Sequence, residues 1–341
     1  MSRPATDIEA VLRESGPDFD EFSYERPTAG HQGEVFLVTL DYAGESYEVV
    51  VKFQPGDDDG FALEPKLHEY VADRTEIPVP RILVFKEAPS MDVAPYFVTE
   101  RVEGDNLAES LSQLDDDLRE RVVRQAGRTL GDMHSEIGFE GFGRLALSDD
   151  RLEVTDFSWD WQQFFHDMVD QHVDRLVGTP FADLRSTARQ YVDDAVHVID
   201  SGGVPRLVHD DFRPANMLFD PAATEPITAV LDWQFALAGE PEYHIARTDF
   251  LFIDPAFQDA ETRERLREVL YSGYREHREF DPDEGYEHRR AVYHFATLLW
   301  RMAGFEAAFA EVSGLAKARA EARFRQQFEQ LAAGLPSDHS A

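Results

Sequence analysis

The stretch Leu207–Gln234, LVHDDFRPANMLFDPAATEPITAVLDWQ, decides how the chain is read. It places Asp211 two residues after His209, Asn216 five residues after Asp211, and Asp232 at the end of an apolar run. The run Ile227–Leu231 (ITAVL) predicts a short buried strand that delivers Asp232 from a fixed direction. One carboxylate to orient or deprotonate a hydroxyl, plus an amide oxygen and a second carboxylate for metal ions, are the groups that metal-assisted phosphoryl transfer requires. A chance acidic loop accounts for paired aspartates but not for His, Asn and a strand-borne Asp together.

The pattern HxDxxxxN followed by two hydrophobic residues and Asp resembles the aminoglycoside phosphotransferase family, relatives of the protein kinases. The family's loop usually reads His-Gly-Asp, and here it reads His209-Asp210-Asp211. The resemblance implies that Asp211 is the catalytic base and that Asn216 and Asp232 hold Mg²⁺. Asp210 stands at the glycine position, which is tolerated if the backbone there does not need φ > 0. Arg213 either offsets charge on the transferring group or pairs with nearby acid. His209 is expected to pack and hydrogen-bond so as to shape the loop.

The implied fold is α+β and bilobal, like a protein kinase. It has a β-rich nucleotide-binding lobe over 1–103, a mainly helical catalytic and acceptor-binding lobe over 104–335, and a disordered tail over 336–341. Runs Tyr24–Ala29, Glu34–Leu40 and Tyr47–Phe53 predict strands, Phe61–Arg74 a helix, and Arg81–Phe85 and Tyr96–Val102 two more strands. Pro65 fits that helix only in its first turn.

Lys52 in Val49–Phe53 is unusual, because the chain has only four lysines against 29 arginines. In kinase-like folds this strand supplies the lysine for the α/β-phosphates, and Glu64 fits as its helix partner, with Glu69 as the fallback. Gly30 and Gly33 punctuate the turn between the first strands, where backbone N–H groups can cradle phosphates. An ordinary hairpin turn explains the same two glycines. Tyr96–Gly104 resembles the hinge between lobes, with Glu100 and Val102 carrying the purine edge through their backbone. Gly104 allows the turn into the second lobe.

Beyond Asn106 the pattern turns helical. Helices are expected at Leu114–Ser135, Phe157–Val177, Leu184–Ile199, Glu261–Tyr274, His288–Phe309 and Leu315–Leu331. His134 reads as a packed or capping histidine. The aromatic residues of Phe157–Val177 are either a core stripe or part of the acceptor pocket that the resemblance implies. After Asp232 the family commonly has Gly-Asp-Pro and then Asp-Leu-Ala. Glu240 replaces the first of those aspartates here and His244 the second, which leaves Asp249 as a candidate for the lost bracing role.

Composition sets the limits. The chain has 341 residues, 43% of them hydrophobic, which is ample for a core. No cysteine is present, so disulfides and thiolate chemistry are excluded. No apolar run spans a membrane, and the first residues lack the apolar segment of a secretory signal, so a cytoplasmic protein is expected. With 67 acidic and 33 basic residues the formal charge is −34. No basic stripe exists to meet nucleic acid. Acidic excess spread along the chain, with lysine depleted, resembles proteins of salt-accumulating organisms, haloarchaea above all. Molar salt shrinks the Debye length to about 3 Å and screens the self-repulsion.

The reaction so implied is transfer of the terminal phosphate of ATP, or of GTP, to a small hydroxylated acceptor with Mg²⁺. The acceptor's identity and the oligomeric state are not legible. Two other classes compete: a non-catalytic, pseudokinase-like nucleotide-binding regulator, and a metal-dependent hydrolase using His209, Asp211 and Asp232. The first requires loss of Asp211, Asn216 or Asp232, and the second has no use for Lys52 and Glu64.

Overall fold

Val49, Val51 and Phe53 alternate with Val50 and Lys52, so the two sets take opposite faces of a strand. That alternation organises the N-terminal part. The computed structural model describes residues 5–16, 19–27, 34–56, 60–90, 93–149, 151–200, 202–254, 259–310, 312 and 314–336. Its first elements are α1 (Ala5–Ser15), β1 (Glu21–Glu25), β2 (Glu34–Tyr42), β3 (Glu45–Phe53), α2 (Leu63–Ala72), β4 (Ile82–Lys86) and β5 (Tyr96–Glu100). The strands form an antiparallel sheet in the order β1-β2-β3-β5-β4.

One face of this sheet buries Val49, Val51, Phe53, Phe36 and Tyr96 against Ile8, Val11 and Leu12 of α1. Lys52 points to the other face, opposite Phe97 of β5, with its ammonium 5.8 Å from that ring's centroid. The helix α1 was not expected in a lobe read as β-β-β-α-β-β. The first strand also lies earlier than the expected Tyr24–Ala29, ending before Pro27, which has no N–H to give a ladder. Residues 28 and 29 of that range lie outside the described residues. Pro65 falls in the first turn of α2, where its missing N–H costs nothing.

The C-terminal part begins with β6 (Asp105–Asn106), α3 (Leu107–Ser110) and α4 (Asp116–Glu136). A hairpin of β7 (Phe142–Ser148) and β8 (Arg151–Ser158) follows, then α5 (Trp161–Arg175) and α6 (Arg185–Ala195). The loop strands are β9 (Arg206–Val208), β10 (Met217–Phe219), β11 (Ile227–Val230) and β12 (Leu237–Gly239). After them come α7 (Pro241–Thr248), a π-helical turn over Asp249–Ile253, α8 (Ala260–Tyr274), α9 (Tyr286–Ala303), α10 (Phe305–Ala308) and α11 (Gly314–Ala332). The small sheets run β11-β10-β6 and β8-β7-β12-β9.

Phe157 does not open a helix, as its spacing suggested. It belongs to β8, and α5 starts only at Trp161, where the Asp160 carboxylate caps it by accepting from the Gln163 amide at 3.1 Å. Trp161, Phe164, Phe165 and Met168 of α5 enter a core with Tyr293, Phe295, Phe305, Phe324 and Phe328, whereas Phe157 and Trp159 of the expected stripe stay exposed. Helices α4 and α8 approach so closely that a Cβ at Gly127 would collide with the Leu270 carbonyl, and one at Gly273 with that of Arg124. Among the described residues, no helix is long and apolar enough to cross a membrane.

Candidate active site

The site is built where two short strands end side by side. Asn216 leads into β10, and β11, paired antiparallel with it, leads into Asp232. The Leu231 amide donates to the Asn216 carbonyl at 2.8 Å, locking the two strand ends together. The Leu231 carbonyl accepts from His209 Nε2 at 2.9 Å. His209 Nδ1 lies 3.3 Å from the Asp211 amide and accepts its proton, which assigns the ring proton to Nε2. Burial pushes the His209 pKa down to about 4, with the Leu231 carbonyl opposing. The ring is therefore a neutral spacer, wedged against Trp233 at 4.6 Å between centroids.

Asn216 Nδ2 donates to both the Asp211 carbonyl and Asp211 Oδ2, each at 2.9 Å. Both amide protons are used inside the loop, which leaves Asn216 Oδ1 as a donor oxygen for a cation. Asp211 Oδ1 is buried and accepts no hydrogen bond among the described residues. Arg213 Nε sits 2.8 Å from it, but out of line for a hydrogen bond. Burial raises the Asp211 carboxyl to about 6, against the charges of Arg213 and Arg247 and the Asn216 bond, which lower it.

Asp210 corrects an expectation. Its φ is +60°, so the glycine position does need the left-handed conformation. Aspartate is among the few non-glycine residues that adopt it, and this one is held there. Tyr243 donates its hydroxyl to Asp210 Oδ1 at 2.6 Å. Arg247 Nε donates to the Asp210 carbonyl at 2.6 Å and lies 3.1 Å from Oδ1. Tyr243 and Arg247, both on α7, were missed by sequence reasoning. The spacing i, i+4 that puts them on one helix face was visible, but nothing linked that face to the loop.

Asp249 does not take up the bracing role suggested for it. Its carboxylate, fully buried, binds Arg267 at 2.8 Å, Arg290 at 3.1 Å and His294 at 3.3 Å, a network that ties α8 to α9. His244 makes no hydrogen bond to the loop among the described residues, although its ring meets that of Phe212 at 5.9 Å between centroids. Its Nδ1 lies 2.9 Å from His134 Nε2, and His134 Nδ1 lies 2.9 Å from the Tyr274 hydroxyl. Burial holds both histidines well below their ordinary pKa, so the pair is neutral. Glu240 caps α7, accepting from the Glu242 and Tyr243 amides.

Across the cleft, Lys52 Nζ binds Glu64 Oε2 at 2.5 Å and lies 3.5 Å from Asp232 Oδ1. Helix α2 brings Glu64 there because Leu63, Leu67 and Val71 pack into the same core as Val230 and Trp233. Glu69, the fallback partner, pairs with Lys66 instead. Burial alone would push the Lys52 ammonium down, but Glu64 and then Asp232 hold it above its ordinary value. Asp232 has φ +67°, a second left-handed aspartate.

Glu100 ends β5, where its carboxylate meets Arg81, and Val102 follows outside the sheet. Gly104 has φ +144°, and a Cβ there would crowd Phe219 and Thr228. Gly30 and Gly33 lie outside the described residues. Beside the β7–β8 hairpin, a cleft of about 370 Å³ is lined by Arg144, Asp156, Phe157, Gln163, Asp167 and Gln171, among others.

A β-rich part carrying a buried Lys–Glu pair, set over a helical part carrying the Asp211 loop, defines a kinase-like phosphotransferase. The chain belongs to the phosphotransferase enzyme family, whose model matches residues 23–280. It is 25% identical over 256 residues to hygromycin-B 4-O-kinase of Escherichia coli, covering 73% of this chain and 69% of that one. It is similar in fold to the GDP complex of aminoglycoside 2'-phosphotransferase-IIIa, with TM-score 0.60 and 13% identity over 96% of this chain and 97% of that one. An ethanolamine kinase of Plasmodium vivax shares the fold with TM-score 0.52 and 12% identity, over 92% of this chain and 81% of that one. The protein is thus a small-molecule kinase of α+β, kinase-like fold.

Proposed function

We propose that the protein moves the terminal phosphoryl group of ATP, with GTP as the alternative donor, to a hydroxyl of a small molecule. One observation carries this reading: Asp211 keeps a buried Oδ1 that accepts no hydrogen bond among the described residues, while Asn216 fixes its Oδ2. The acceptor hydroxyl donates to Oδ1. As its oxygen bonds to the γ-phosphorus, the bond from that phosphorus to the β–γ bridging oxygen breaks. The hydroxyl proton passes to Asp211 and the nucleoside diphosphate leaves.

Lys52, oriented by Glu64, binds the α/β-phosphates, and Arg213 offsets charge on the moving group. Gly30 and Gly33 line the phosphate turn, and Glu100 and Val102 present their backbone to the base. The nucleotide lies between residues 1–103 and 104–335. Among the described residues no cluster of three or more His, Asp or Glu is placed to hold a metal. Asn216 Oδ1 and the Asp232 carboxylate are a two-donor oxygen set, which suits Mg²⁺, an ion that takes one or two protein ligands and fills its shell with phosphates and water. When bound, Mg²⁺ neutralises the phosphate oxygens. The charge of −34 supports a working environment of molar salt, as in a haloarchaeal cytoplasm.

Lys52→Ala tests this reading. It should weaken nucleotide binding by at least about tenfold and abolish detectable transfer, because the α/β-phosphates lose their cation. Unaltered activity in this variant favours a hydrolase that does not use β3.

A further inference from the structure

Arginines gather round Asp211, in a chain whose formal charge is −34. Arg213 Nε stands 2.8 Å from Asp211 Oδ1. Arg247 reaches from Asp210 to α9, where its Nη1 donates to Thr297 Oγ1 at 3.4 Å and its guanidinium carbon lies 4.3 Å from the Trp300 ring centroid. One turn beyond Thr297 on the same face of α9 is Arg301. Its guanidinium carbon lies 5.1 Å from the ring centroid of Phe324 on α11, next to Arg323. Among the described residues, neither Arg301 nor Arg323 has a hydrogen bond or a carboxylate partner. Arg247 Nη2, which is buried, has no acceptor either.

Acids outnumber bases two to one in this chain, 67 to 33, yet Arg213 and Arg247 both stand beside the Asp210–Asp211 pair. Arg247 is buried and keeps one guanidinium nitrogen without an acceptor, a costly arrangement that a ligand anion can relieve, and Arg301 beside it on α9 is half-buried. Burial pushes the Arg301 pKa down to about 10, Arg213 and Arg323 add to this, and Asp211 opposes it, so these four groups feel one another.

We propose that the acceptor carries an anionic group, a carboxylate or a phosphate, bound by Arg301 with Arg323 while its hydroxyl meets Asp211. This rests on the phosphotransferase reading above and narrows its acceptor class. A polycationic acceptor would meet like charge at this end of the site, which disfavours it.

The test is Mg²⁺-dependent transfer from ATP to four classes of probe, at the lowest KCl concentration that keeps the protein folded. The probes are glycerate (carboxylate), glycerol 3-phosphate (phosphate), glycerol (neutral), and ethanolamine with hygromycin B (cationic). One or both anionic probes should be used in preference to the rest, and the two arms tell carboxylate from phosphate. Arg301→Gln should raise the KM of the anionic acceptor by about tenfold or more, with a smaller change in kcat. Arg323→Gln, at an exposed position, should raise it by less. Preference for glycerol or the cationic probes, no transfer to either anionic probe, or an unchanged KM in both variants overturns the proposal. An equal fall in kcat and kcat/KM in Arg301→Gln also overturns it, by assigning that charge to the moving phosphoryl group. Binding of Mg²⁺ with ADP, measured on the same preparation, separates the failures. If ADP or, in a parallel run, GDP binds, only the acceptor class is lost; if neither does, the phosphotransferase reading is lost with it.

Discussion

Arg247 Nε donates to the carbonyl of Asp210 at 2.6 Å, and the same nitrogen lies 3.1 Å from the Asp210 carboxylate. One buried arginine thus holds both the backbone and the side chain of the residue preceding the proposed base. The left-handed turn at Asp210 sets where Asp211 points, so this contact fixes the geometry of the loop. Burial raises the Asp210 pKa, against Arg247 and Tyr243, which lower it, so the pair is a desolvated one.

Removing one partner leaves the other buried and uncompensated. Arg247→Met should lower unfolding stability by about 3–5 kcal/mol in denaturant titrations. Asp210→Gly suits φ +60° but strands Arg247. The double variant Asp210→Gly/Arg247→Met should recover about 1–3 kcal/mol relative to the sum of the single losses. Strict additivity in this cycle would show that the two residues do not act as a unit.

The pH dependence follows from Asp211, whose carboxyl burial raises to about 6. A raised pKa means that the base keeps its proton to a higher pH than an ordinary aspartate. The free-enzyme value governs kcat/KM, which should fall about tenfold per pH unit on the acid side of that inflection. Arg213 lowers this pKa, so Arg213→Gln should move the inflection upward as well as reduce the rate. A pH profile flat from about 4.5 to about 8 would remove Asp211 from the rate-determining proton transfer.

Helices α4 and α8 meet through Gly127 and Gly273, away from the loop. Gly127→Ala places a methyl group against the backbone of Leu270, and backbone cannot swing aside. The expected loss is about 1–3 kcal/mol, read as a lower Tm, with the nucleotide KM unaltered. An unchanged Tm would mean that the helices separate without strain.

Charge sets the solvent requirement. At −34 the folded chain repels itself, and screening increases as the Debye length shrinks from about 10 Å at 0.1 M salt to about 3 Å at 1 M. Tm should therefore climb steeply with KCl over that interval, where sucrose at matched osmolality gives less. A Tm insensitive to KCl would point to acidic surfaces that serve a partner instead.

Much of the site was legible because its residues are bound to short sequence patterns. Asp211, Asn216 and Asp232 come together through one antiparallel strand pair, and the pair is written in the apolar runs Met217–Phe219 and Ile227–Val230. Lys52 stood out as a lysine within an apolar strand of a chain that has only four. What escaped depends on contacts distant in sequence. Helix α1 carries Ile8, Val11 and Leu12 at helical spacing, but a stretch that short has no partner until the sheet exists. The Asp210 clamp needs α7 to dock beneath the loop. Asp249 looked like a substitute brace by sequence distance, whereas the π-helical turn carries it to Arg267 and Arg290.

The most direct measurement is Mg²⁺-dependent phosphoryl transfer by the wild type and by Asp211→Asn, in multimolar KCl, with nucleotide affinity measured on both. The aspartate should be required: the variant keeps its nucleotide affinity within a few-fold and loses transfer by at least about 10²-fold, the scale of a lost general base. Transfer at wild-type rate in Asp211→Asn would contradict the assignment of the base and, with it, the reading of the loop.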